Sequence, residues 1–135
     1  MSAEEIRRET GGSWTQRADG WWLNIEAASI RYVARTMLQA EARFVTIFAM
    51  PEPADAMRLS WHWEIGGVLH SVTARFEKGA PIPSIADIYR GADWAERETR
   101  DYYAVAFEGR TDTPPLMIRN TEKPGVLLRK SGEKL

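Results

Sequence analysis

The stretch MRLSWHWEIGGVLHSVTARFEKG, residues 57–79, constrains the fold more than any other. Leu59, Trp61, Trp63 and Ile65 alternate with Ser60, His62 and Glu64, and successive side chains of a strand point to opposite faces. Gly66-Gly67 turns the chain, and Val68, His70, Val72 and Ala74 then share one face of a returning strand. This is a hairpin with one apolar face. Such a face has to be buried under a second layer of structure.

The remaining segments supply that layer. AEEIRRE (3–9) reads as a short helix with acids early and bases late, as the helix dipole favours. SWTQRADGWWLNIEA reads as two short strands around Asp19-Gly20, a pair suited to a tight turn. From Ala27 to Ala42 the period changes: Ile30, Val33, Ala34, Met37 and Leu38 form one apolar stripe of a helix. RFVTIFAM (43–50), stopped by Pro51 and Pro53, reads as a buried central strand. After Pro81 and Pro83, Ser84 is a candidate N-cap with Asp87 three residues on. Ile85, Ile88, Tyr89 and Ala92 make the next stripe, with a break at Gly91 and a second helical piece over 93–103. AVAFEG reads as a short extended segment.

The predicted fold is α+β: a mostly antiparallel sheet with helices packed on one face, in one domain over 1–118. Residues 119–135 are expected as an extended C-terminal tail. Arg119, Lys123, Arg129, Lys130 and Lys134 there outweigh Glu122 and Glu133, so the tail is basic.

Composition narrows the function. A net charge of −1 gives no field for nucleic acid or an anionic membrane. With no cysteine there is no disulfide, thiolate nucleophile or cysteine-held cluster. No run approaches the roughly 20 apolar residues that span a bilayer, and the charged start lacks the apolar core of a secretory signal. Direct membrane insertion is therefore not expected.

Two sites carry weak chemistry. His62 and His70 sit on adjacent strands near Glu64, an incomplete ligand set, because zinc takes three or four protein ligands. The same residues would be a small hydrolase's only resource, and no G-x-S-x-G or phosphate loop accompanies them. Six tryptophans are many for this length. Trp61 and Trp63 either fill the sheet face beneath the helices or, with Trp21 or Trp22, line a platform for a planar or sugar ligand. Trp21 and Trp22 are consecutive, so on a strand they face opposite ways.

The segment WAERETRDYY concentrates charge and aromatic surface. Glu96 and Arg100, and Arg97 and Asp101, are four apart and would pair along one helical face. Neighbouring arginines lower a carboxylate's pKa, opposite to what a general acid needs. No catalytic residue is assigned. The composition fits a polar, directional protein interface.

From about residue 44 to 118 the sequence resembles the 30-kDa subunit family of respiratory complex I. It resembles equally the homologous small subunit of energy-converting membrane-bound nickel–iron hydrogenases. The matching pattern is Pro83-Ser84-Ile85, Ile88-Tyr89, Ala92-Asp93-Trp94, Glu96-Arg97-Glu98, Asp101-Tyr102-Tyr103, Val105, Phe107, Gly109 and Asp112. The family has Gly, His and Pro where Ala104, Arg110 and Thr111 stand, and Leu-Arg where Thr113-Pro114 stands. Pro115-Leu116 is similar to the hydrogenase-like branch.

The resemblance implies a non-catalytic accessory subunit that binds no cofactor. Iron–sulfur clusters or a nickel–iron centre would belong to partner subunits. It would dock on a large catalytic subunit of the 49-kDa or hydrogenase type, beside other peripheral-arm subunits. The location implied is cytoplasmic, on the inner face of the cytoplasmic membrane. The interface residues it implies are Trp94, Glu96, Arg97, Glu98, Arg100, Asp101, Tyr102, Tyr103, Arg110 and Asp112. A stand-alone module using the tryptophans is the alternative reading.

Overall fold

A computed structural model describes residues 1–110 and 124–128. Helix α1 (Ala3–Glu9) begins at Ser2, whose side chain accepts a hydrogen bond from the Glu5 N–H at 3.1 Å. Strands β1 (Thr15–Arg17) and β2 (Gly20–Asn24) form the hairpin predicted around Asp19-Gly20. Gly20 is required there. Its φ is +124°, and a Cβ at that position would lie 2.2 Å from the carbonyl oxygen of Leu69.

A 3-10 turn (Ala27–Ser29) leads into α2 (Ile30–Gln39), which buries Ile30, Val33, Ala34 and Met37. Leu38, predicted on the same stripe, stays exposed in the last turn. Strands β3 (Arg43–Glu52), β4 (Ala56–Ile65) and β5 (Val68–Glu77) follow as an antiparallel meander. The five strands are ordered β1-β2-β5-β4-β3, and only the β2–β5 contact is parallel. A mostly antiparallel sheet is therefore observed, as predicted.

RFVTIFAM is not central, however. It forms β3, the sheet's edge, with a register shift between Phe44 and Thr46. A continuous apolar run suggests burial on both faces, but here Ile47 is buried while Val45, Phe48 and Met50 are exposed.

One sheet face forms the core. Leu23 of β2, Val72, Ala74 and Phe76 of β5, and Met57, Leu59, Trp61 and Trp63 of β4 are buried with Ile6, α2, Ile85 and Ala92. Trp61 and Trp63 are wholly enclosed, each burying on the order of 200 Å² of ring surface. They are core residues, which removes the WHW strand as a ligand platform. The second face carries Trp22, Ser71, His62 and Thr46 in one row, and Asn24, Thr73, Ser60 and Phe48 in the next.

The histidines part company across this sheet. His62 is paired in register with Ser71 and His70 with Trp63, so the two imidazoles lie on opposite faces. His62 Nδ1 lies 2.8 Å from Ser71 Oγ. Arg7 donates to His70 Nε2 at 2.9 Å, which leaves the His70 proton on Nδ1, facing the Val68 carbonyl at 3.1 Å. Glu64 instead meets Arg43 at 2.9 Å and the Gly67 N–H at 2.8 Å. The set neither converges on a metal nor forms a hydrolytic pair.

Candidate partner interface

The segment after Pro83 departs from the predicted helix. Strand β6 (Ile82–Pro83) pairs in parallel with β7 (Phe107–Glu108), the short extended segment expected in AVAFEG. Residues 84–89 turn rather than coil, and α3 runs from Arg90 to Tyr103. Ser84 does not cap a helix with Asp87. Asp87 takes a two-pronged bond from Arg31 of α2 at 2.7 and 2.9 Å, which holds its carboxyl below the usual range. The same guanidinium donates to the Ser84 carbonyl at 2.7 Å.

Ser84 is free to serve Glu96. Its hydroxyl donates to Glu96 Oε1 at 2.6 Å, and the Ile85 N–H donates to Oε2 at 2.8 Å. Arg110, just past β7, adds a third bond to Oε1 at 3.1 Å and also grips Asp93. Glu96 is thus fully enclosed, where the sequence predicted a surface carboxylate paired to Arg100. Burial pushes its carboxyl above the ordinary carboxylate range, against the lowering effect of Ser84, Ile85 and Arg110. Burial also disfavours the Arg110 cation, but Asp93 and Glu96 outweigh it and raise its pKa.

Asp101, likewise predicted at the surface, is enclosed at the last turn of α3. Arg100 Nη1 lies 3.6 Å from its Oδ1. Its carbonyl accepts from the Gly125 N–H at 2.8 Å, within the expected tail, and Gly125 leads into a 3-10 turn (Val126–Leu128). Leu128 packs against the core. Asp112 and the tail residues 119–123 and 129–135 lie outside the described residues.

What remains outward on α3 is Trp94, at 57% the most exposed aromatic of the helix, with Arg97, Glu98 and Tyr102 half-buried around it. These fall at i, i+3, i+4 and i+8, one helical face. Arg97 Nη1 lies 3.8 Å from Asp93 Oδ2. Tyr103 turns towards the core. The hallmark residues therefore split between those that lock the fold and those that face out. Spacing could not reveal that Glu96 turns inward, because its partners, Ser84 and Arg110, lie far away in sequence.

Among the described residues no three His, Cys, Asp or Glu side chains gather as a metal site, and no helix is long and apolar enough to cross a membrane.

The family model for the respiratory-chain NADH dehydrogenase, 30 Kd subunit, matches residues 23–132. The chain belongs to that family. The match runs from β2 through α3 and so takes in the whole Glu96 lock. Relatives of the 30 Kd subunit family include the NAD(P)H-quinone oxidoreductase subunit J of Synechococcus sp. (strain CC9902), 38% identical over 87 residues. That alignment covers 64% of this chain and 45% of the relative. An NADH-quinone oxidoreductase subunit of Bartonella bacilliformis is 31% identical over 88 residues, 65% of this chain and 35% of the relative. The equivalent NADH-quinone oxidoreductase subunit of Rhodopseudomonas palustris (strain BisB18) is 32% identical over 98 residues, 67% of this chain and 49% of the relative. The chain thus spans less than half the length of these curated relatives.

Proposed function

We propose that this chain is a non-catalytic accessory subunit of a membrane-associated oxidoreductase complex of the NADH-quinone type, docking on the large catalytic subunit. The observation that carries this reading is the family match over residues 23–132, combined with the division of labour on α3. Glu96, Asp101 and Arg110 hold the helix in place. Trp94, Arg97, Glu98 and Tyr102 form the outward face that meets the partner, with Arg supplying directional bonds and the aromatics buried area. The redox centres sit in the partner subunits, and the complex holds this chain on the inner face of the membrane. Residues 1–118 act as the folded body, and Gly125 and Leu128 fasten the described part of the tail to this body.

The test is a tagged pull-down from the native host's membrane fraction with mass spectrometry. Recovery of a large quinone-reductase-type subunit supports the reading, and recovery of a nickel–iron hydrogenase homologue moves it to the energy-converting hydrogenases. Recovery of this chain alone from the soluble fraction overturns it.

A further inference from the structure

The sheet face opposite the helices is a surface that the α3 reading does not use. Its centre is polar and already dry: Ser71 is fully enclosed and His62 only 6% exposed. His62 is walled by Trp22 and Phe48, whose ring centroids lie 5.9 and 5.2 Å from its own. Its Nδ1 serves Ser71, but its Nε2 is buried and has no hydrogen-bond partner among the described residues. A buried imidazole nitrogen without a partner costs stability unless a group arrives to meet it. Beside it, Phe48 and Met50 are 63% and 61% exposed, an apolar strip on the edge strand.

Arginines outnumber acids next to this strip: Arg17, Arg58 and Arg75 stand with Glu52, which pairs with the last two, and Asp19, which accepts from the Trp22 indole. A recess of about 320 Å³ opens between the first hairpin and β4, lined by Thr15, Arg17, Trp22, Asn24, Arg58 and Thr73. No carboxylate lines it. The Arg17 guanidinium lies 4.9 Å from the Trp22 ring centroid and forms no ion pair among the described residues. Arg58 shares the single carboxylate of Glu52 with Arg75 and donates to Thr73 Oγ1 at 3.1 Å. Arg17 and Arg58, the hydroxyls of Ser13, Thr15 and Thr73 and the Asn24 amide line the recess, a set that complements a carboxylate.

We propose that this open sheet face is a second docking surface, which takes an extended acidic segment of a neighbouring subunit. A carboxylate enters the recess between Arg17 and Arg58, and an adjoining apolar side chain lies over Trp22, His62 and Phe48. The partner's being a subunit of the same complex rests on the function proposed above. The surface is nevertheless distinct from the outward face of α3, because it lies across the sheet from the helices.

The experiment places a photo-crosslinking p-benzoylphenylalanine at Phe48 in the tagged full-length protein, expressed in its native host. The membrane fraction is irradiated, and the crosslinked peptides are sequenced by mass spectrometry. The expected result is a crosslink to another subunit, at a peptide carrying Asp or Glu next to an apolar residue. Arg17→Glu should lower its yield by about tenfold, while Arg17→Lys retains it. Arg17 is exposed on a short strand, and a circular dichroism spectrum checks that the variant folds. A crosslink within this chain, to a second copy, to a peptide without an acid, or no crosslink at all overturns the proposal. Recovery of the large subunit is read separately. If it co-purifies without the crosslink, the α3 reading stands and this one falls. If the acidic crosslink forms without the large subunit, the open face stands and the α3 reading falls.

Discussion

The hydroxyl of Ser84 donates to Glu96 Oε1 at 2.6 Å, joining the turn after β6 to the middle of α3. Arg110 closes the arrangement from the far side of β7. Three separate segments are therefore held by one enclosed carboxylate, and removing it strands each of them.

The first prediction concerns pH. Burial raises the folded-state pKa of Glu96 above its ordinary 4.5. The native protein then keeps a proton that the unfolded chain has released, so this group's contribution falls as pH rises above about 4.5. Glu96→Gln lacks the titration. The melting temperature of the wild type minus that of Glu96→Gln should be larger at pH 5 than at pH 8. A gap independent of pH would remove Glu96 as the titrating group.

His70 has the opposite sign. Its pKa is lowered, first by burial and further by the Arg7 charge, against the raising effect of the Val68 carbonyl. The unfolded chain takes up the proton first, so stability is lost as pH falls through about 6.5. Protonation also turns Nε2 from an acceptor into a donor facing a guanidinium, which breaks the bond to Arg7. Amide exchange in α1, corrected for intrinsic rates, should accelerate between pH 7.5 and 5.5. His70→Gln should abolish the pH dependence of that exchange.

Ala104 ends α3 at φ +56° and ψ +30°, the left-handed region. A side chain there costs roughly 1 kcal/mol relative to glycine, and the family pattern has glycine at this position. Ala104→Gly should stabilise the fold by about 0.5–1 kcal/mol in urea unfolding. Gly125→Ala should do the reverse, because a Cβ on Gly125 would lie 3.1 Å from that of Ala104.

Arg97→Glu separates docking from folding. The change sets a like charge four residues from Asp93, a penalty of about 0.2–0.5 kcal/mol on a helix surface. A circular dichroism spectrum should show the isolated variant folded, while recovery of the large subunit falls severalfold. Normal recovery would mean that Arg97 is not an interface residue.

Much of the architecture was legible because it rests on period. The alternation around Trp61 and Trp63, the Asp19-Gly20 turn and the Ile30–Met37 stripe each follow from which side chains must be buried. The edge position of β3 was not legible, because an apolar run looks the same whether a partner or the protein's own core covers it. Glu96 and Asp101 misled for a related reason. Charged residues at helical spacing indicate a wet surface unless a distant donor is known, and Ser84 and Arg110 gave no local sign of that role. Trp94 is exposed, and Arg97 and Glu98 are half-buried beside it.

The parallel contact between β2 and β5 has a consequence for how the protein is made. Trp21 pairs with His70 and Leu23 with Val72, across the helix and two strands that separate them in sequence. The hairpin of β4 and β5 closes on itself locally, whereas β2 leaves the ribosome well before its neighbour exists. Trp21, Trp22 and Leu23 therefore lack their sheet neighbour until β5 emerges, a non-local contact of the kind that slows folding.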